Sequence, residues 1–242
     1  SLHDALPILK LNKLLVALSL TFISGSALAA GGDTATLKVT GKLVPGACTV
    51  NLDNAGVVDY GTMLMTNLSA TEDNQLPEKR INMGIKCNSD RLVAYTLHDE
   101  RRDSLYNGVI KNATVDGGDI PASSNQFGLG LTNDGEARLG AYTVINWFPD
   151  MTYSGSADNL VFIGSKGNSD DWSRTTSGST VNGVDVAARL HTLGNPDTLT
   201  PAAFSELKIP LSIKGVLRKG EDLKITDETN LDGEATISLV YL

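Results

Sequence analysis

The segment GEATISLVYL, residues 233–242, indicates the expected fold most directly. Its apolar side chains recur at every second position, at Ala235, Ile237, Leu239 and Tyr241. Side chains spaced by two lie on one face of a β-strand, so we expect these four to face a core and the polar residues between them to face outward. A slip of one residue would expose every apolar side chain, and the register of such a strand is therefore strongly fixed.

A second alternating segment, LKVTGKLVPGACTV, covers residues 37–50. Its apolar positions begin at Leu37 and Val39 and resume at Leu43. Gly41 interrupts them and precedes Cys48 by seven positions. Taken alone, either segment predicts only an ordinary strand.

Short apolar or alternating runs recur along the chain between clusters of Gly, Asn, Asp and Ser, and no long stretch has a helical period. The predicted strands are Ala35–Val50, Val57–Tyr60, Ile81–Cys87, Val93–Leu97, Phe127–Leu131, Ala141–Phe148, Leu160–Ser165, Val184–Leu193, Leu207–Leu217 and Ala235–Leu242. This pattern predicts an all-β sandwich or barrel.

The chain has 242 residues, whereas an immunoglobulin-type sandwich needs only about 100. We therefore expect insertions in the middle of the chain, decorating one end of the sandwich. The polar segment 167–183 is interpreted as a long loop within one domain, the alternative being a linker between two domains.

The N-terminal region has the pattern of a secretory signal peptide. Lys10 and Lys13 precede an apolar run at 14–23, and small residues follow, ending in Ala27-Leu28-Ala29. We expect a signal peptide at 1–29, of which 1–8 is non-native, and export to the periplasm and then the cell surface. A membrane anchor is the alternative, but the run falls short of the roughly 20 apolar residues that span a bilayer.

The net charge of −8 argues against nucleic acid and anionic membranes as partners. The two cysteines are Cys48 and Cys87. One pair in an exported chain predicts one disulfide. A redox or metal-binding pair is the alternative, but the C-x-x-C spacing of such pairs is absent.

Catalytic signatures are absent from the sequence. His98 and His191 are the only histidines outside residues 1–8, and there is no H-E-x-x-H, G-x-S-x-G or P-loop motif. We therefore expect no enzyme activity and no cofactor.

Two acidic pairs have oxygen ligands of the kind that Ca²⁺ takes, Asp116 with Asp119 and Asp170 with Asp171. Aspartates beside glycine more often form turns, so we expect no metal site. Trp147, Trp172 and Tyr153 leave open a different class of protein, a secreted carbohydrate-binding module or glycan-active enzyme with a sugar-stacking platform.

Taken together, the two alternating segments resemble the pilins of the chaperone–usher pathway. The residues that carry the resemblance are Ala47-Cys48-Thr49-Val50, Cys87, and Gly233 through Tyr241. The chain from residue 30 onward more closely resembles the fimbrial-like family labelled domain of unknown function 1120. That resemblance is carried by Gln75–Lys79, Trp172–Thr180, Thr200–Phe204 and Asn230–Thr236.

The resemblance implies an immunoglobulin-like β-sandwich that lacks its last strand, covering residues 41–242, after a donor arm at 30–40. It implies a structural fimbrial subunit assembled by donor-strand exchange, with a possible part in adhesion to a host or surface receptor. The implied partners are a periplasmic pilus chaperone, an outer-membrane usher and neighbouring fimbrial subunits. The implied donor residues are Ala35, Leu37 and Val39, and the implied chaperone- or neighbour-binding residues are Ala235, Ile237, Leu239, Tyr241 and Leu242.

Overall fold

The computed structural model describes residues 36–43, 47–121, 123–166, 171–181 and 189–242. The strands are β1 Cys48–Leu52, β2 Asn74–Gln75, β3 Lys79–Arg91, β4 Val93–Asp99, β5 Phe127–Gly128, β6 Gly140–Asn146, β7 Thr152–Ser154, β8 Val161–Lys166, β9 Trp172–Arg174, β10 Arg189–Gly194, β11 Phe204–Leu217 and β12 Ala235–Tyr241. One short α-helix, α1, covers Gly220–Leu223. Single 3₁₀ turns cover Asp53–Gly56, Met65–Asn67, Arg102–Ser104, Ser123–Asn125 and Phe148–Asp150.

The strands form two antiparallel sheets, and the predicted all-β sandwich is confirmed. Sheet one has the order β1-β3-β11-β6-β5, with β2 and β7 also paired to the long strand β11. Sheet two has the order β12-β4-β10-β8-β9. The core lies between them, because alternate side chains of both sheets, such as Ile85 and Leu207 of sheet one and Leu97 and Phe162 of sheet two, belong to one buried cluster.

Strand β6 is buried at all seven positions, which one face of a sandwich does not explain. Tyr142 and Val144 point into the main core, whereas Ala141 and Ile145 pack into a second cluster. That second cluster is built from the insertion after β4, with Ile110 and Ile120 bridged to each other. The insertion therefore covers the outer face of sheet one, and the prediction that it decorates one end of the sandwich is wrong.

Residues 44–242 form one compact unit, and 1–43 form the other. The described part of the polar segment, 171–181, belongs to the larger unit, because β9 pairs with β8 and Ser179 bridges to Ile145. The strand predicted at Ala35–Val50 is wrong over 36–43, where the described residues have no regular secondary structure. No helix within the described ranges is long and apolar enough to cross a bilayer.

Candidate functional site: an apolar groove between two free strand edges

Among the described residues each sheet has two edge strands, and the edge strands β1 and β12 lie on the same side of the sandwich. Strand β1 pairs only with β3, through Cys48↔Cys87 to Leu52↔Met83, among the described residues. Strand β12 pairs only with β4, through Ala235↔Asp99 to Tyr241↔Val93, in that same part of the chain. The backbone groups on the outer edge of each strand therefore have no neighbouring strand among the residues that the structure describes.

Between these edges lies an apolar opening of about 260 Å³, which we call the edge groove. Sheet one contributes Leu52, Ile81, Tyr142, Val144, Leu211 and Ile213 to its wall. Sheet two contributes Leu97, Ala235 and Ile237, and loops add Gly56, Val58, Tyr60, Leu129, Leu231, Gly233 and Glu234. Core side chains of both sheets are thus accessible from one side, as in a sandwich that lacks a strand.

One end of the groove is closed by contacts between the two edges. The backbone N–H of Cys48 donates to the hydroxyl of Tyr241 at 2.9 Å. The backbone N–H of Leu242 donates to the carbonyl of Leu92 at 3.1 Å, which fixes the end of β12 against the β3–β4 turn. The predicted disulfide between Cys48 and Cys87 is confirmed, and it joins directly opposite residues of β1 and β3.

The other end is held by an arginine. Arg101 donates from Nε to Asp232 at 2.7 Å and lies 2.6 Å from Glu234 through its second terminal nitrogen. The hydrogen bond to Asp232 is the largest cause of the raised pKa of Arg101. These contacts fix the segment that leads into β12, so the mouth of the groove has a defined wall.

Two tyrosines, Tyr60 and Tyr142, line the groove. The hydroxyl of Tyr60 donates to the carbonyl of Ile213 at 3.4 Å, and burial raises the pKa of Tyr60 to about 12. Burial also raises the pKa of Tyr142 well above its usual value. Both side chains are therefore neutral at ordinary pH, and the groove offers shape and apolar contact rather than reactive chemistry.

The predicted alternation of the terminal strand is confirmed for Ala235, Ile237 and Leu239, which pack against the core cluster. Tyr241 departs from it and is 54% exposed. Its hydroxyl accepts a hydrogen bond from the backbone N–H of Cys48 at the gap between the two edges. The ring therefore covers the end of the sandwich instead of entering it. Leu242 is also exposed.

The predicted donor residues lie in the 1–43 unit. Leu37 and Val39 are 88% and 89% exposed, and Ala35 lies outside the described residues. Gly41 has open space around the position of a Cβ atom and no left-handed φ, so nothing in the described arm requires glycine there.

The titratable residues considered for catalysis do not assemble into a site. His98 is exposed on β4, whereas His191 is fully buried, and burial lowers its pKa to about 3. Asp116 accepts a hydrogen bond from Thr114, and Asp119 accepts one from the backbone of Asn112, as turn residues do. Within the described residues no three His, Cys, Asp or Glu side chains form a metal-binding group. Asp170 lies outside them.

The three aromatic residues of the carbohydrate alternative lie on different elements. Trp147 follows β6, is covered by the guanidinium of Arg80 at 4.0 Å and packs against the second cluster. Tyr153 lies on β7, packs against the main core and accepts a hydrogen bond from the backbone of Leu160. Trp172 lies on β9 of sheet two. Two of the three are therefore engaged in packing.

Sequence reasoning missed most of the groove wall outside β12. Val58 and Tyr60 alternate with outward-facing neighbours, which is the signal that predicted a strand at Val57–Tyr60. That strand prediction is wrong, because 57–60 has no strand partner among the described residues. The alternation nevertheless marks the two residues that enter the groove.

Comparison with known proteins gives one family. The family model described as "Protein of unknown function (DUF1120)" matches residues 37–143. The chain is 31% identical over 240 residues to uncharacterized protein YhcF of Escherichia coli (strain K12), covering 95% of this chain and 98% of that protein. It is 27% identical over 247 residues to protein GltF of the same organism, covering 94% and 96%.

Proposed function

We propose that this chain, which belongs to the family described as protein of unknown function (DUF1120), is a structural subunit of a surface fimbria assembled by donor-strand exchange. The observation that carries the proposal is the edge groove, an apolar opening of about 260 Å³ flanked by the free edges of β1 and β12.

Open strand edges are a liability that a folded subunit has to cover. Unpaired strand edges beside exposed core side chains are templates for association with another strand. An added strand gains main-chain hydrogen bonds from the edge and specificity from alternate side chains that enter pockets. Ile237 and Leu52 are half-buried and lie on opposite walls of the edge groove. The side chains of an added strand would cover their exposed parts.

This function implies export and a sequence of partners. A periplasmic chaperone covers the groove first, an outer-membrane usher accepts the complex, and the arm of a neighbouring subunit then replaces the chaperone. The exposed Tyr241 and Leu242 at the closed end are the proposed contacts for the chaperone. Fibres at the cell surface are the proposed final location, and a receptor-binding role for the insertion belongs to the same proposal.

The test compares two substitutions on neighbouring positions of β12. Ile237→Asp places a charge on the groove wall, whereas Ser238→Asp places the same charge on the exposed face of the same strand. The subunit is co-expressed with a periplasmic pilus chaperone, and co-isolated chaperone and surface fibres are quantified.

We expect Ile237→Asp to abolish both chaperone capture and fibres, and Ser238→Asp to retain both. Mass spectrometry of the Cys48–Cys87 disulfide and thermal unfolding establish that each variant is folded. Fibres formed at wild-type levels by a folded Ile237→Asp subunit would refute the proposal.

A further inference from the structure

Beside the edge groove lies a second apolar opening of about 580 Å³, which we call the second chamber. The two openings have Val58, Tyr60 and Leu231 in common, so they adjoin each other within the 44–242 unit. Buried side chains form the floor of the chamber, because Leu139 and Leu217 are only 2% and 4% exposed. Its volume falls in the range of about 300–1,000 Å³ that small-molecule sites occupy.

The walls of the second chamber are preformed. They consist mainly of the loop that follows β1 and the loop that follows α1. The first of these loops is tied to the start of α1, where the backbone N–H of Gly220 donates to the carbonyl of Ser69 at 2.9 Å. The second is fixed by the side-chain amide of Asn133, which donates to the carbonyl of Glu228 at 2.7 Å. Walls that are already in place reduce the ordering cost of taking up a ligand.

The chamber presents no open strand edge in the described part of the chain. Its one strand residue, Leu217, pairs with Asn74 on one side and with Gly140 on the other. The other wall residues lie in loops, in a 3₁₀ turn or in α1. A ligand of the second chamber must therefore be held by apolar contact and charge, and not by main-chain pairing.

The apolar lining fits a flexible alkyl chain. Met63 and Met65 are half-buried on one wall, and Leu64 between them is 59% exposed. Methionine side chains are unbranched and flexible, and they adapt to the shape of what they contact. Tyr60 is the one aromatic residue of the described wall, so this lining lacks the paired rings that would stack on a planar ligand.

The charged residues of the described wall are all acidic. They are Asp59, Asp227 and Glu228, which are exposed and have no ion pair within the residues that the structure describes. Asp59 accepts one hydrogen bond from the backbone of Gly61, and Asp227 accepts one from the hydroxyl of Thr226. A carboxylate has about four lone-pair sites, so both retain acceptors for a cationic donor.

We propose that the second chamber binds an amphiphile with an unbranched alkyl chain and an ammonium head group. The chain lies on the apolar floor, and the head group lies among Asp59, Asp227 and Glu228. An anionic head group would meet three carboxylates and no basic residue in the described wall. This site goes beyond the proposed function, because it takes a small molecule and does not use the edges of β1 and β12.

The first experiment locates the ligand by nuclear magnetic resonance of the methionine methyl groups. The chain has four methionines, of which Met63 and Met65 line the second chamber, whereas Met83 and Met151 line neither opening. The purified chain, labelled with ¹³C at these methyl groups, is titrated with decylammonium below the concentration at which it aggregates. We expect the signals of Met63 and Met65 to shift in a saturable way and those of Met83 and Met151 to stay in place. Four unchanged signals, or equal shifts of all four, would overturn the proposal.

The second experiment compares head groups and chain lengths by isothermal titration calorimetry. We expect decylammonium to bind about tenfold more tightly than decyl sulfate, because favourable contacts with exposed carboxylates become repulsions. This preference should narrow near 1 M salt, where the screening length falls to about 3 Å. From hexylammonium to decylammonium, each CH₂ that the chamber buries should tighten binding by up to about fourfold. Equal affinity for the ammonium and the sulfate contradicts the proposal.

The third experiment removes the charge of the wall without changing its shape. The chain with Asp227→Asn and Glu228→Gln should bind decylammonium about fivefold more weakly, since two exposed charge contacts are lost. A matched control with Asp158→Asn and Asp197→Asn, two exposed acids outside both openings, should keep the wild-type affinity. The same weakening in both double variants would show a non-specific effect of net charge and would sink the proposal.

A pair of polar substitutions separates the second chamber from the edge groove. Met63→Asn alters only the chamber and should weaken binding of decylammonium, whereas Ile237→Asn alters only the edge groove and should not. Thermal unfolding establishes that both variants are folded. Weakened binding by a folded Ile237→Asn chain, with wild-type binding by Met63→Asn, would place the ligand in the edge groove and refute the assignment.

Discussion

Replacing His191 with phenylalanine is expected to remove the contribution of this residue to the acid sensitivity of the fold without loosening the core. His191 is fully buried on β10, its ring stacks on Phe162 at 5.7 Å and lies 5.5 Å from the ring of Tyr95. Within the part of the chain that the structure describes, neither ring nitrogen has a hydrogen-bond partner. Phenylalanine retains the aromatic contacts and removes two buried polar atoms that nothing satisfies.

The size of this effect on stability follows from the pKa of His191. Burial lowers this pKa from 6.5 to about 3, and the charge of Arg189 contributes to a smaller extent. Above pH 6.5 the side chain is neutral in the folded and unfolded states, and the stability is complete. As the pH falls from 6.5 towards 3, the unfolded chain binds a proton that the folded chain excludes. The free energy of unfolding therefore falls by about 1.4 kcal/mol for each pH unit. The total loss between pH 6.5 and 3 is on the order of 5 kcal/mol.

The assay is urea unfolding of the wild-type and His191→Phe chains between pH 7.5 and 4. At pH 7.5 the variant should be at least as stable as the wild type, since an unsatisfied buried polar group costs about 1–3 kcal/mol. At lower pH the gap between the two should widen in favour of the variant. Buried Asp99 and the other carboxyl groups titrate in both chains and cancel in the difference. Parallel pH profiles would refute the reasoning.

Two further predictions concern the closed end of the groove. Tyr241→Phe removes the acceptor for the N–H of Cys48 and should lower the free energy of unfolding by about 0.5–1 kcal/mol in urea, because the contact is partly exposed; an unchanged midpoint would argue against this contact in solution. Replacing Cys48 and Cys87 together with serine opens a loop with a sequence separation of 39 and should cost about 4 kcal/mol by the same measurement, with a cost below about 1 kcal/mol as the contradicting result.

The central strands could be predicted well from the sequence, because segments whose apolar and polar side chains alternate are also the segments that pair in the sheets. Strands β3, β4, β11 and β12 all lie where apolar side chains recur at every second position. Strands β2, β7 and β9 were missed since they are only two or three residues long. Strand β2, for example, exists through pairing with Val216 and Leu217, more than a hundred residues away, and no local pattern records that contact.

The second cluster was missed for a related reason. The insertion that builds it is rich in Asn, Asp and Gly, and its apolar residues Ile110 and Ile120 lie in short segments without a sustained alternation. Their burial depends on contact with the outer face of β6. Strand β6 is buried on both faces, and its sequence alone does not show that an insertion covers the outer one. In contrast, the terminal strand and the disulfide could be predicted from local alternation and from a single cysteine pair.

The two incorrect strand predictions, at 36–43 and 57–60, have one physical cause. Both segments alternate like strands, yet a strand is stable only when its backbone pairs with another strand. Ordering eight residues of an arm costs about 8–16 kcal/mol of backbone entropy. Burying Leu37, Val39 and Leu43 returns about 4–9 kcal/mol, and eight main-chain hydrogen bonds at about 0.5–1.5 kcal/mol each add about 4–12. Pairing along one edge would supply only about half of those hydrogen bonds, so an arm this short needs partners on both sides. Within the described residues, the edge groove offers an unpaired strand edge on both sides, β12 on one wall and β1 on the other.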